Sequence, residues 1–419
     1  MTSRERVANA LAHRPGQVPV DFGSTGVTGL HVTCVAALRD YFGLARHPVK
    51  VWEPYQMLGE VDSDLMEVLG SDVEGISGRG TMFGFAKEGW HEWRAPWGQV
   101  VQVPAGFRPR EEASGDVYLF PEGDTSVPPS GHLPAGGYFF DAIIRQPPLD
   151  ESRLDPADNC EEFRLLGAED IAHWEREVAR VRGSSRAIHA SFGGTGFGDI
   201  ALVPAVFLKH PRGIREVSEW YVSLLERPDY IHAIFSRQCD IALQNLAPLA
   251  RLAGEVVDVH FVCGTDFGTQ GSQFCSRTTF HELFAPYYRR VNDWVHRHTR
   301  WKTFKHSCGA VRPLIPDFIE CGFDILNPVQ CSAHDMDPGL LKEEFGERIV
   351  FWGGGVDTQH TLPFGTPAQV RAQVLERLRL FAPGGGFVFN AIHNVQARTP
   401  VENLVAMLEA IREFNRAGS

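Results

Sequence analysis

The feature that most constrains this chain is a rhythm. Short apolar runs recur along it, and stretches with helical spacing separate them. Two runs stand near the start, "VPVDFG" from Val18 and "DVEGIS" from Asp72. Six more follow: "AIHASF" from Ala187, "VVDVHFV" from Val256, "KTFKHS" from Lys302, "FDILNPV" from Phe323, "IVFWGGG" from Ile349 and "FVFNAI" from Phe387. Amphipathic segments such as "AEDIAHWEREVARVR" and "TPAQVRAQVLERLRLFA" lie between them, and "TPVENLVAMLEAIREFN" follows the last. The Thr-Pro pairs at Thr366 and Thr399 supply an N-cap and a first-turn proline. Strands alternating with helices imply a parallel sheet covered by helices. Eight runs match the count of a (β/α)8 TIM barrel, here with an N-terminal helical extension. An open doubly wound sheet is the competing arrangement, but no G-x-G-x-x-G follows the first run.

The 419 residues are read as a single barrel domain over 1–419. Residues 89–148 break the rhythm, since Pro, Gly and Trp accumulate there, and they predict an inserted β-hairpin and loop region. Trp90, Trp93 and Trp97 in that insertion suit either a lid or a staple of the hairpin.

Composition narrows the function classes. With 43% hydrophobic and 22% charged residues, the chain is typical of globular domains. A formal net charge of -12 argues against nucleic acid or an anionic membrane as partner. No apolar run approaches the roughly 20 residues that span a bilayer. The opening "MTSRERVANALAHRPG" reads as a charged amphipathic helix rather than a signal peptide, so the expected location is cytoplasmic. Eight cysteines without a C-x-x-C pair fit a reduced compartment better than a disulfide framework.

In a barrel, working groups collect at the C-terminal ends of the strands. Those ends are rich in polar residues here. The first gives Asp21; the fourth gives Asp266 and Gln270; the fifth gives His306 and Cys308. The sixth gives Asn327 and Gln330, the seventh Asp357 and Gln359, and the eighth Asn390, His393 and Asn394. The third runs into "GGTGFGD", which suits either a phosphate cradle or a substrate-lining turn. Asp357 suits either acid–base work or a loop cap.

His306 and Cys308 stand two apart, so at a strand end both side chains point the same way. Zinc takes cysteine sulfur and histidine nitrogen, and His393 ends another strand at the same mouth. A buried thiol beside a core histidine is the alternative.

With these residues in view, the sequence resembles the uroporphyrinogen decarboxylase-like superfamily over nearly the whole chain outside Gly89–Pro148. "SRERVANALAHRPGQVPVDFG" resembles its entry helix and first strand. "DFGTQ", "HSCGAVRPLIPDFIECGFDILNPVQ", "FWGGGVDTQ" and "TPVENL" follow its later blocks in order. The resemblance implies a TIM barrel and one of two activities. The decarboxylases of uroporphyrinogen hold propionates with an R-Q-A-G-R-Y segment, which this chain replaces with "RPGQVPVDFGSTGVTG". The other branch, cobalamin-dependent methyltransferases, binds zinc with an H-x-C pair and a cysteine near the last strand. His306 and Cys308 match that pair, while the last-strand region "FNAIHNVQ" has no cysteine. His393 is the expected replacement, with Cys331, Asp266 or Asp357 as alternatives.

The resemblance therefore implies a zinc-dependent methyltransferase. It would move a methyl group between a corrinoid such as methylcobalamin and a small acceptor, or a methoxy or methylthio substrate. No D-x-H-x-x-G signature is present, so the corrinoid is expected on a separate carrier protein. Asp266 and Asp357 are the candidate catalytic groups. Asp21, Gln270, Asn327, Gln330, Gln359 and Asn390 are the candidate substrate-binding residues. The competing readings are a metal-independent decarboxylase acting on a substrate other than uroporphyrinogen, and a non-catalytic substrate- or corrinoid-binding barrel. The exposed helix faces of a barrel also allow a homodimer.

Overall fold

The computed structural model describes residues 1–417. Seven parallel strands form one curled sheet: β1 (Val73–Ser77), β2 (Ala187–Ser191), β3 (Val259–Cys263), β4 (Lys302–His306), β5 (Ile325–Asn327), β6 (Val350–Trp352) and β7 (Phe387–Val388). Each pairs with its neighbour in chain order. An eighth stave closes the sheet. Val20 makes a parallel bridge to Phe389, and the Asp21 N–H donates to the Phe389 carbonyl at 2.9 Å. On its other side the Asp72 N–H donates to the Val20 carbonyl at 2.7 Å. The first apolar run thus joins the last strand to β1, and the open doubly wound alternative is excluded.

Strand periodicity explains how the interior is filled. One apolar cluster takes Val73, Ala187, Val259, Phe304, Ile325, Val350 and Val388 from the seven strands. Val7 and Ala10 of the helix Ser3–Leu11 join the same cluster, so the N-terminal extension plugs the lower end. Its start is fixed by a capping box between Thr2 and Glu5. Two residues further along, five of the staves carry His189, His306, Asn327, Trp352 and Asn390 on the same face, while β1 has Gly75 and β3 has Phe261. The barrel is therefore apolar below, and polar side chains enter its interior one pleat higher beside Trp352 and Phe261.

Between Leu11 and β1, and again between β1 and β2, the chain builds two small sheets beside the barrel. One has the order Leu58–Gly59, Val49–Glu53, Val100–Val103, His91–Arg94. The inserted segment thus pairs with strands that precede β1. The second runs Arg110–Glu111, Val117–Leu119, Gly131–Leu133, Asp141–Ala142, with antiparallel pairing. Aromatic rings fill the space around them: Phe107 lies 6.1 Å from Phe140, and Trp93 lies 4.9 Å from Phe107. Trp97 stacks on Tyr138 at 5.2 Å. Trp93 and Trp97 thus staple the insertion rather than form a lid. Among the described residues no helix is long and apolar enough to cross a membrane.

Candidate metal centre at the barrel mouth

Three side chains converge where the polar layer meets the loops. His306 ends β4, Cys308 follows it by two residues, and His393 lies in the loop after β7. One ligand atom from each falls within 4.8 Å of the others. His306 Nε2 is 3.4 Å from Cys308 Sγ, and the His306 and His393 rings are 5.4 Å apart. Asp266 adjoins them, with Oδ1 3.8 Å from His306 Nε2.

The hydrogen bonds behind His306 fix which nitrogen is available. Asn327 Nδ2 donates to the Trp352 carbonyl at 2.8 Å. A carbonyl only accepts, so the amide orientation is set and Oδ1 must face His306. His306 Nδ1–H donates to that Oδ1 at 2.6 Å. The proton sits on Nδ1, and the Nε2 lone pair points to Cys308. Burial, opposed by the Asn327 bond, pushes the His306 pKa down to about 4, so the ring is neutral. His393 is pushed down to about 4 by burial and then by His306, against the pull of Asp266. Burial, and next the Asp266 charge, raises the Cys308 thiol well above its ordinary value.

The loop carrying Cys308 is held from three sides. The Cys308 N–H donates to Asp266 Oδ1 at 2.6 Å. The Gly309 N–H donates to Gln330 Oε1 at 2.8 Å, and Gln330 Nε2 donates to Gln270 Oε1 at 3.0 Å. Gly309 has φ +87° and packs against Gly268, where a Cβ on Gly268 would lie 2.7 Å from the Cys308 carbonyl oxygen. Both positions therefore require glycine. The His393 loop is pinned by its neighbours. The Ile392 N–H donates to the Val356 carbonyl at 3.0 Å, and Asn394 Oδ1 accepts from the Gly29 N–H at 2.6 Å.

The other residues singled out in the sequence fall into distinct places. Asp21 is fully buried beneath the mouth, where it accepts from Ser24 Oγ at 2.7 Å and Trp352 Nε1 at 3.0 Å. Burial, opposed by those bonds, raises its pKa to about 6. Asn390 is also buried and donates to the Asp21 carbonyl at 2.6 Å. Both are buried and braced by other buried groups, Asp21 by Ser24 and Trp352 and Asn390 by the Asp21 carbonyl. Asn327 and Gln330 likewise hold His306 and Gly309. Gln270 is exposed at the rim. Asp357 resolves to a loop cap: Oδ1 accepts from the N–H groups of Gln359 at 2.6 Å and His360 at 3.2 Å. Gln359 is exposed, and its side chain accepts from Ser332 Oγ at 3.5 Å. The Cys331 thiol donates to the Val329 carbonyl at 3.4 Å and stays outside the cluster.

Several side chains at the mouth escaped the sequence reading. Lys305 is fully buried, its ammonium donating to the Thr265 and His306 carbonyls at 2.5 and 2.7 Å. A lysine within an apolar strand run was the available signal. Asp199 ends "GGTGFGD", and burial together with the Asp266 charge raises its pKa to about 6. Tyr221 lines a small cleft with Asp266 and Phe274, and its buried hydroxyl has no partner among the described residues. Nothing in the helical spacing around Tyr221 marks it.

Comparison with known proteins places this arrangement. Residues 207–414 match the family model for uroporphyrinogen decarboxylase (URO-D), a span that contains β3 to β7 and the whole cluster. The uroporphyrinogen decarboxylase of Coxiella burnetii is 27% identical over 199 residues, covering 46% of this chain and 50% of that protein. This chain is a member of the uroporphyrinogen decarboxylase-like superfamily. The uroporphyrinogen decarboxylase of Dechloromonas aromatica is 24% identical over 247 residues, covering 57% of this chain and 63% of its own length. The chain thus spans about half the length of the curated superfamily relatives it matches. A methyltransferase from Methanosarcina mazei superposes with a TM-score of 0.54 over 99% of both chains, at 16% identity, and so shares the superfamily's fold.

Proposed function

We propose that this protein is a zinc-dependent methyltransferase. It moves a methyl group between a corrinoid on a separate carrier protein and a small acceptor, or a methoxy or methylthio substrate. The observation that carries the reading is the 3.4 Å separation of His306 Nε2 and Cys308 Sγ, with the Nε2 lone pair aimed at the thiol. Zinc–nitrogen bonds of about 2.1 Å and zinc–sulfur bonds of about 2.3 Å at tetrahedral angles imply ligand atoms roughly 3.4 to 3.7 Å apart. Neutral imidazoles and a cysteine fit such an ion, with His393 as third ligand and Asp266 within reach of the fourth position.

Zinc there supplies a positive charge that favours the anionic, more nucleophilic form of a thiol or hydroxyl at neutral pH. This chain's own residues arrange the rest. Asn327 keeps the proton on His306 Nδ1 and the ring in place. Asp266 anchors the Cys308 backbone with Oδ1 and leaves Oδ2 to orient a substrate polar group. The Tyr221 hydroxyl, beside Asp266, is free to donate to a substrate oxygen. Phe274, stacked on Tyr221 at 4.6 Å, offers an apolar wall that excludes water.

The likeness to the Methanosarcina methyltransferase along the whole chain supports this reading. The likeness to uroporphyrinogen decarboxylases supports a second one, a lyase acting on another carboxylate without metal. Reaction of methylcobalamin with candidate thiols, followed by the cobalamin spectrum with and without chelator, separates the two. Chelator-sensitive loss of the methyl-cobalt band supports methyl transfer, whereas chelator-insensitive release of carbon dioxide would establish the lyase. Eight unpaired thiols agree with a cytoplasmic setting.

A further inference from the structure

A groove of about 560 Å³ lies beside the first stave and β1, and none of the three cluster side chains lines it. Ser24 and Ser77 lie at its inner side, Trp52 and Trp90 come from the small-sheet region, and His173 from the helix Ala168–Val181. The volume suits a small organic ligand.

Most charges along the groove are already matched. Lys50 pairs with Glu60 at 3.2 Å, Arg180 with Glu74 at 2.6 Å, and Arg186 with Glu67 at 2.5 Å. Lys87 differs. Its ammonium donates to Ser77 Oγ at 2.7 Å and to the Gly78 carbonyl at 3.0 Å. It lies 5.2 Å from the centroid of the Trp52 ring and forms no ion pair among the described residues. An ammonium has three N–H groups, so one is left without an acceptor among the described residues. Burial pushes the Lys87 pKa down to about 8, against the pull of Glu53 and Glu177, which marks a cation with incomplete compensation.

We propose that this groove is a second ligand site, separate from the His306 cluster, that takes a small planar carboxylate. The carboxylate meets the free N–H of Lys87, and the ring lies against the Trp52 and Trp90 indoles. A single negative charge balances the single unpaired ammonium. A phosphate dianion would bring a second charge toward Glu60, Glu74 and Glu177, which also line the groove. An uncharged amide would leave the ammonium uncompensated.

The test is equilibrium binding to the full chain, followed by calorimetry and tryptophan fluorescence, with benzoate, benzamide and inorganic phosphate as probes. Saturable benzoate binding is expected, at least tenfold tighter than benzamide, with no saturation by phosphate. Lys87→Met should weaken benzoate at least tenfold, whereas His306→Ala should stay within about twofold of the parent. Equal affinity for benzoate and benzamide, or unchanged binding by Lys87→Met, would overturn the proposal. Loss of benzoate binding in His306→Ala would also overturn it, by moving the ligand to the mouth. Should Lys87→Met fail to fold, amine labelling of the parent protein decides by peptide mass mapping. Protection of Lys87 by benzoate supports the site, and equal labelling with and without benzoate refutes it.

Discussion

Asn327 bridges two neighbouring strands through one amide, accepting from His306 Nδ1–H at 2.6 Å while donating to the Trp352 carbonyl at 2.8 Å. The second bond dictates the direction of the first. Loss of such an outer partner lowers metal affinity by roughly 10- to 100-fold. Asn327→Leu should therefore weaken zinc binding by that factor. Asn327→Asp retains an acceptor for Nδ1–H and should weaken it less. Competition with a chromophoric chelator measures both, and equal affinities in the parent and Asn327→Leu would refute the assignment.

The ligand set makes a sharper claim. Purified protein should carry one zinc per chain, and His306→Ala, Cys308→Ala and His393→Ala should each lose it. Cys331→Ser should keep it, because that thiol faces the Val329 carbonyl. Metal analysis decides; full zinc in His393→Ala would assign the third ligand elsewhere, with Asp266 next in line.

Asp357 provides a control. If it caps the turn, Asp357→Ala costs about 1 kcal/mol of stability and leaves zinc content and turnover intact. A large drop in turnover at unchanged stability would return it to the reacting groups.

Gly309→Ala should act in two ways. A side chain at φ +87° is strained, and its Cβ would meet the Gly268 backbone. A loss of about 2 to 3 kcal/mol is expected, together with weaker zinc binding, since the displaced backbone carries Cys308. Thermal melts with and without zinc report both effects.

Acid should destabilise the fold. Burial pushes His189 down to about 3, with His260 adding to the shift, and pushes His260 itself down to about 4. Both are neutral when folded, so their stabilisation is complete above the unfolded value near 6.5 and is lost as pH falls toward their folded values. At pH 5 that amounts to about 2 kcal/mol each. Asp21 works in the opposite sense. Its folded value of about 6 lies above the ordinary 3.8, so its contribution is complete below 3.8 and fades as pH rises through 6. Going from pH 7 to 5, Asp21 and Asp199, which is also raised to about 6, each return about 1 kcal/mol, less than the histidines together lose. Urea unfolding at pH 7.5 and pH 5 should show a lower midpoint at pH 5, and His189→Asn should reduce the difference.

How much of this was legible in the sequence follows from what each signal depends on. The eight staves could be read because alternation and apolar runs are local, and parity along them set the polar layer that holds His306. The convergence of His306, Cys308 and His393 was legible from strand-end positions together with the resemblance to the superfamily's H-x-C pair, which left Cys331, Asp266 and Asp357 as alternatives for the third place. What those positions could not convey was direction. Asp21 and Asn390 sit at strand ends like His306, yet they are taken up by buried partners, Asp21 by Ser24 and Trp352 and Asn390 by the Asp21 carbonyl. Asp357 belongs to a turn whose own N–H groups claim its carboxylate. Tyr221 reaches the mouth from a helix, and only tertiary packing brings it beside Asp266. Pairing of the insertion with Val49–Glu53 was likewise invisible, since it joins segments far apart in sequence.

The seam formed by Val20 and Phe389 has a consequence for synthesis. Of the eight staves, the first to leave the ribosome is completed by the last to leave it. Until then the nascent sheet keeps two unpaired edges, the kind of surface on which chains pair wrongly with one another. Closure can occur only after residue 389 has left the exit tunnel, so the barrel closes after all eight staves are made even where its middle strands pair earlier.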